Sequence, residues 1–90
     1  MRITDVKIRK IFSENVLKAV VSVTFDECFT VHDIKVIYAN ERYIIVMPNK
    51  KSRDGRISDI AHPINKEFRQ ILEEEILTVY YEYSESKADL

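Results

Sequence analysis

Four cations, Lys50, Lys51, Arg53 and Arg56, fall within seven positions of the stretch MPNKKSRDGRISDIAHPIN, which runs from Met47 to Asn65. Cations at this spacing bind anions, and the successive phosphates of a nucleic-acid backbone are a ligand that engages several at once. Asn49 and Ser52 add neutral donors suited to phosphate oxygens. Gly55, the only glycine of the chain, follows Asp54 and makes a tight turn that lets the loop tip reach outward. The plainer alternative is a solvated surface loop. Lys7, Arg9 and Lys10 extend the patch if the first strand lies beside it.

Other reactive residue types are poorly arranged for chemistry. His32, Asp33, Asp59 and His62 are types that can hold a divalent metal. Yet Asp59-Ile60-Ala61-His62 lacks metal-site spacing, and neighbours such as His32 and Asp33 point to opposite faces of a strand. Backbone hydrogen bonding suits them better: Asp59 and His62 around the Pro63 turn, Asp33 on amides freed by a bulge. Cys28 is the sole cysteine and reads as a small core filler. There is no serine elbow, no phosphate-cradling glycine loop and no paired-carboxylate constellation. No enzyme, cofactor, metal or small-molecule substrate is therefore expected; a metal-dependent hydrolase on the two His-Asp pairs would have to show metal-dependent turnover. Base stacking needs exposed aromatics beside a basic groove. Tyr80, Tyr81 and Tyr83 lie instead near acidic residues, and Tyr38 and Tyr43 lie on strands, so most tyrosines read as core or interface.

The elements that position these residues follow from periodicity. Leu17, Ala19, Val21, Val23 and Phe25 alternate with polar residues, the period of a strand. Val6, Ile8 and Phe12 share one parity while Asp5, Lys7 and Arg9 take the other, and Ser13-Glu14-Asn15 joins the two runs as a hairpin. Asp26-Glu27 makes the next turn. In CFTVHDIKVIY the apolar parity slips at His32-Asp33, which predicts a β-bulge there. Asn40-Glu41 turns the chain again. Tyr43–Met47 is apolar throughout and is expected to be covered on both faces, with Pro48 ending it. A short fifth strand is expected near Arg56–Ile60. Asn65 then caps a helix over 66–84, about 28 Å long, whose stripe is Phe68, Ile71, Leu72, Ile76, Val79, Tyr80 and Tyr83. Leu77 and Tyr81 fall off this stripe and read as a spare ridge for a partner.

Ninety residues, 46% hydrophobic and 32% charged, make one globular domain small enough to benefit from dimerisation. The domain is expected to span 1–84, with a polar tail over 85–90 that frays. Residues 1–69 are net basic and the remainder is net acidic, within an overall charge of −1. A lone cysteine, no leader and no apolar run of ~20 residues predict a cytoplasmic protein without membrane contact.

Three stretches, RITDVKIRKI, VHDIKVI and MPNKKSRDGRISDIAHPIN, resemble the stage V sporulation protein G family, the SpoVG septation regulators. The family pattern is similar to V-x-D-I/L-R-V-I followed by A-M-P-S-K-R-x-x-D-G-x-x-x-D-I-A-H-P-I-N. The chain keeps Val31, Asp33, Ile34, Val36, Ile37, Met47, Pro48, Lys50, Asp54, Gly55 and the whole DIAHPIN run from Asp59 to Asn65. It departs at Asn49 (usually Ser), Lys51 (usually Arg), Arg53 (often Pro) and Tyr43-Ile44-Ile45. The resemblance spans residues 2 to about 83. It implies an antiparallel sheet with a C-terminal helix, a homodimer, and a small regulator that binds DNA, and in some members RNA, in bacterial gene control linked to septation or sporulation.

Together these expectations are an α+β domain of four to five antiparallel strands and one C-terminal helix, homodimeric. Lys50, Lys51, Arg53 and Arg56 contact nucleic acid, and Lys7, Arg9 and Lys10 extend the patch. The dimer seam uses sheet edges, the second face of Tyr43–Met47, or the Leu77/Tyr81 ridge. The rival is a protein-interaction adaptor that binds through Leu77, Tyr81 and the acidic helix face.

Overall fold

The computed structural model describes residues 1–88, with side chains to 84; the helix expected to end at 84 continues to Ala88, and 89–90 of the expected tail lie outside the described residues. Six strands precede one helix: β1 (Ile3–Ile11), β2 (Leu17–Phe25), β3 (Phe29–Ala39), β4 (Arg42–Val46), β5 (Asn49–Lys51), β6 (Ile57–Asp59) and α1 (Lys66–Ala88). The first four form one antiparallel sheet in the order β1-β2-β3-β4. The expected fifth strand does not join it. β6 pairs instead with β5 as a separate two-stranded sheet, because Pro48 breaks the chain after β4.

The β2–β3 and β3–β4 turns are made without glycine. Asp26 and Glu27 have φ of 51° and 55°, Asn40 and Glu41 of 54° and 64°. Positive φ at both central residues is the type I′ geometry that matches the twist of a two-residue hairpin. The parity slip at His32-Asp33 is a bulge: Val21 pairs with Ile34 and Val23 with Val31, so His32 and Asp33 together oppose Ser22. Asp33 takes the left-handed conformation there, with φ of 62°.

A second bulge lies on β1, where Ile8 pairs with Val21 and Lys10 with Val20, leaving Arg9 as the extra residue. The parity expected through Phe12 is thereby corrected. Ile11 rather than Phe12 joins Ile3, Val6 and Ile8 against the core.

One face of the main sheet supplies Ala19, Val21, Val23, Phe25, Ile34, Val36 and Ile45, and α1 covers them with Leu72, Ile76 and Tyr80. The helix begins where expected, with Asn65 Oδ1 accepting the Phe68 N–H at 2.7 Å. Its buried line runs through Phe68, Leu72, Ile76 and Tyr80, while Ile71 and Tyr83 of the expected stripe are exposed. Leu77 instead packs against the core. Tyr81 sets its ring edge-on to Tyr43 at 5.4 Å, and Tyr43 also meets Tyr38 at 4.8 Å and Tyr80 at 5.5 Å. Leu77 of the expected ridge is thus drawn into the core, while Tyr81 stays exposed. Its ring rests one edge on the tyrosine cluster and leaves the rest to solvent.

β4 is also not covered on both faces. It is an edge strand whose Ile45 is buried under α1, while Ile44 and Val46 turn half-exposed to the other face. Among the described residues no second layer packs on that face.

Candidate nucleic-acid interface

The cationic stretch is a hairpin. Asn49, Lys50 and Lys51 pair with Asp59, Ser58 and Ile57. Between them the Gly55 N–H donates to Ser52 O at 3.0 Å, and the Ser52 N–H donates to Arg56 O at 2.8 Å. Gly55 has φ of +88°, a conformation that strains other residues. A turn followed by a left-handed glycine is the usual closure of a three-residue hairpin loop.

The carboxylate of Asp54 holds this turn. It accepts the Ser52 hydroxyl, the Arg56 N–H at 3.2 Å and the Arg56 Nε at 3.3 Å. The Ser52 hydroxyl, then the Arg56 backbone amide, hold its carboxyl below the usual carboxylate range.

Every residue from 50 to 60 is exposed. Strand alternation sends Lys50 and Lys51 to opposite faces of the hairpin. Arg56 is engaged by Asp54, whereas Lys50, Lys51 and Arg53 have no ion pair among the described residues. The neutral donors are used within the loop: Asn49 Nδ2 donates to Met47 O at 2.9 Å, and Ser52 Oγ serves Asp54 and Arg56 O. Ile57, Ile60 and Ile64, which the sequence did not single out, flank the cations as exposed apolar residues.

DIAHPIN connects the hairpin to the helix. The Ile60 N–H donates to Pro48 O at 2.7 Å, closing the hairpin base. His62 Nδ1–H donates to Pro63 O at 3.0 Å, a backbone role of the kind expected for it. Beneath Ala61–Asn65 lies an apolar cavity of about 340 Å³, floored by Phe25, Met47, Phe68 and Leu72. Among the described residues no three His, Cys, Asp or Glu converge as metal ligands.

Lys7 and Lys10 stand opposite Ser22 and Val20, on the sheet face away from α1. β1 is the edge farthest from β4, so these cations do not adjoin the hairpin directly. Lys10 lies over the Phe12 ring at 5.9 Å. Arg9 Nε donates to Ser22 Oγ at 3.1 Å.

The SpoVG family model matches residues 1–82, from the start of the sheet nearly to the end of the described side chains. The chain belongs to the SpoVG family. A SpoVG protein of Clostridioides difficile (strain 630), named for septation, is 51% identical over 82 residues, covering 91% of this chain and 89% of the relative. One from Phytoplasma australiense is 51% identical over 80 residues, covering 89% and 83%. One from Staphylococcus aureus (strain MRSA252) is 44% identical over 89 residues, covering 99% and 89%. The SpoVG match takes in the main sheet, the cationic hairpin, DIAHPIN and most of α1. No helix among the described residues is long and apolar enough to cross a membrane.

Proposed function

We propose that this SpoVG chain is a non-enzymatic nucleic-acid-binding regulator that acts as a homodimer in gene control linked to septation or sporulation. The observation that carries this reading is the β5–β6 hairpin. It stands apart from the main sheet with Lys50, Lys51 and Arg53 exposed and without acidic partners among the described residues. A rigid turn presenting unpaired cations is suited to the phosphate backbone of DNA, and of RNA. Arg53 is also the residue best placed at the tip to take a guanine edge through its guanidinium.

Dimerisation is supported by the two edges of the main sheet. β1 carries Lys7, Arg9, Lys10 and a bulge, the devices that keep an edge from pairing. β4, Arg42–Val46, has no bulge, lysine or proline, and Tyr43–Val46 is wholly apolar. An unprotected edge of this kind accepts a second strand, and a copy of itself satisfies both sides at once.

The test is fluorescence anisotropy of labelled duplex DNA and single-stranded RNA across a salt series. Three phosphate contacts on each of two hairpins give a slope of log K against log salt of about −5 on duplex DNA. Replacing Lys50, Lys51 and Arg53 by Ala, with the fold verified by circular dichroism, should abolish most of that slope. Equal binding by wild type and variant would overturn the assignment to the hairpin. Sedimentation equilibrium of Ile44→Lys, expected to shift a dimer towards monomer, checks the β4 seam.

A further inference from the structure

We propose that the open face of the main sheet holds a second phosphate-contacting surface, a row of the cations Lys7, Arg9 and Lys35 with the His32 ring beside them, organised around the buried Ser22. It continues the track of the β5–β6 hairpin along the same nucleic acid. This deepens the nucleic-acid reading above and rests on it.

The row is built by the two bulges. Ser22 is 3% exposed although it lies on the face that α1 leaves open. On one side the β1 bulge aims Arg9, whose Nε donates to Ser22 Oγ at 3.1 Å. On the other the β3 bulge aims His32, whose Nδ1 lies 2.8 Å from the same oxygen. Bulges re-aim side chains at a local cost in pairing, and here two of them converge on one hydroxyl. Ser22 Oγ takes the Arg9 Nε–H and holds the His32 ring by its Nδ1, which turns Nε2 away from the serine. Nε is the atom that anchors Arg9, so its two Nη nitrogens form the outward edge, the geometry that takes a phosphate bidentately.

Lys7 stands directly opposite Ser22, and Lys35 opposite Val20 on the far side of β2. Strands ~4.8 Å apart put these two lysines on the order of 10 Å from one another. Neither they nor Arg9 has an ion pair among the described residues. Lys35 also pairs with Val46 on β4, and Lys50 follows four residues later. At ~3.3 Å per extended residue, Lys50 lies within about 13 Å of Val46 along the chain. Lys35 is thus the stepping stone between β1 and the hairpin.

The test compares three proteins in the anisotropy salt series, using labelled duplex DNA and single-stranded RNA. The first is wild type, the second Lys7→Gln/Arg9→Gln/Lys35→Gln, and the third a control with equal charge change on α1, off the face, Lys66→Glu/Arg69→Gln. Three lost phosphate contacts flatten the slope by about 2.7 for each protomer engaged and weaken binding tenfold or more at moderate salt; the control changes far less. A second measurement needs no variant: the Arg9 Nε–H and His32 ring resonances of wild type should shift on adding the oligonucleotide. If wild type binds through the hairpin while the face variant matches wild type and these resonances stay still, the second surface is overturned and the hairpin stands. If wild type binds neither nucleic acid, both fall together.

Discussion

Arg56 Nε lies 3.3 Å from Asp54 Oδ2 across the tip of the β5–β6 hairpin, so one of the four clustered cations already has an acidic partner within the chain. This sets an expectation for Asp54→Asn. Asparagine keeps an acceptor oxygen for Ser52 and for the Arg56 amide, but releases the Arg56 guanidinium. Nucleic-acid binding should tighten at low salt, and each hairpin should add about 0.9 to the steepness of the salt slope. The same carboxylate gives a pH prediction. Asp54 titrates below the ordinary carboxylate value, so its support of the turn is complete above that value and is lost as pH falls through the lowered one. Amide shifts of Ser52 and Arg56 followed by NMR from neutral to strongly acid pH should move together with the Asp54 carboxyl.

The two type I′ turns carry strain that is removable. Glu41 sits at φ of 64° after Asn40, where glycine is the favoured second residue. A left-handed conformation costs a residue with a Cβ about 1 kcal/mol, partly offset by the extra freedom glycine has when unfolded. Glu41→Gly should raise unfolding stability by about 0.5 kcal/mol, a Tm increase of roughly 2–4 °C in a domain of this size. Thermal unfolding by circular dichroism reads it directly. A drop in Tm would mean that the Glu41 side chain makes a stabilising contact.

Asn65 is the residue on which the DIAHPIN run ends and the helix begins. Its Oδ1 takes the Phe68 N–H at 2.7 Å, and Phe68 in turn packs on Phe25 with ring centroids 6.0 Å apart. Asn65→Ala should cost about 1 kcal/mol, and Asn65→Asp should retain most of the stability. Urea unfolding of both variants distinguishes a capping role from a need for the amide itself.

How much of this was legible in the sequence depended on local signals. The His32-Asp33 bulge was readable because the apolar parity changes there and nothing else explains it. The Arg9 bulge was not, because adjacent Ile11 and Phe12 satisfy either parity, and only pairing with β2 decides between them. Asn49-Lys50-Lys51 has no apolar alternation, so its strand pairing with Ile57–Asp59 left no trace in hydropathy. The cation cluster was visible as composition, but the loss of Arg56 to Asp54 depends on the turn that Gly55 closes. Leu77 falls off the ideal helical stripe yet packs on the core, because the sheet beneath the helix is wider than that stripe. Tyr43 and Tyr38 extend the apolar surface sideways, and the helix follows them.

The contact of Tyr81 with Tyr43 yields a prediction for Tyr81→Ala. Tyr81 is 43% exposed yet stacks edge-on against Tyr43. Its truncation should cost stability, about 0.5–1.5 kcal/mol for the aromatic contact, and leave the oligomeric state unchanged. Sedimentation equilibrium alongside urea unfolding separates the two effects. Loss of a partner or of the dimer without loss of stability would restore the adaptor reading of this ridge.

Tyr43 provides the last test, at alkaline pH. Burial raises its phenol above the ordinary tyrosine value, and the neighbouring Tyr80, Tyr81 and Tyr38 add to the shift. The unfolded chain therefore loses this proton before the folded one does. The contribution of Tyr43 to stability is whole below the ordinary tyrosine value of about 10 and declines as pH climbs from there through the raised value. Absorbance at the tyrosinate band should show one phenol ionising late, and that late step should vanish in Tyr43→Phe. The phenylalanine variant should also lose stability less steeply with rising pH than wild type. If all five tyrosines ionise together while circular dichroism still reports a folded chain, the cluster around Tyr43 is open to water and the packing of α1 on β4 is looser than its ring distances indicate.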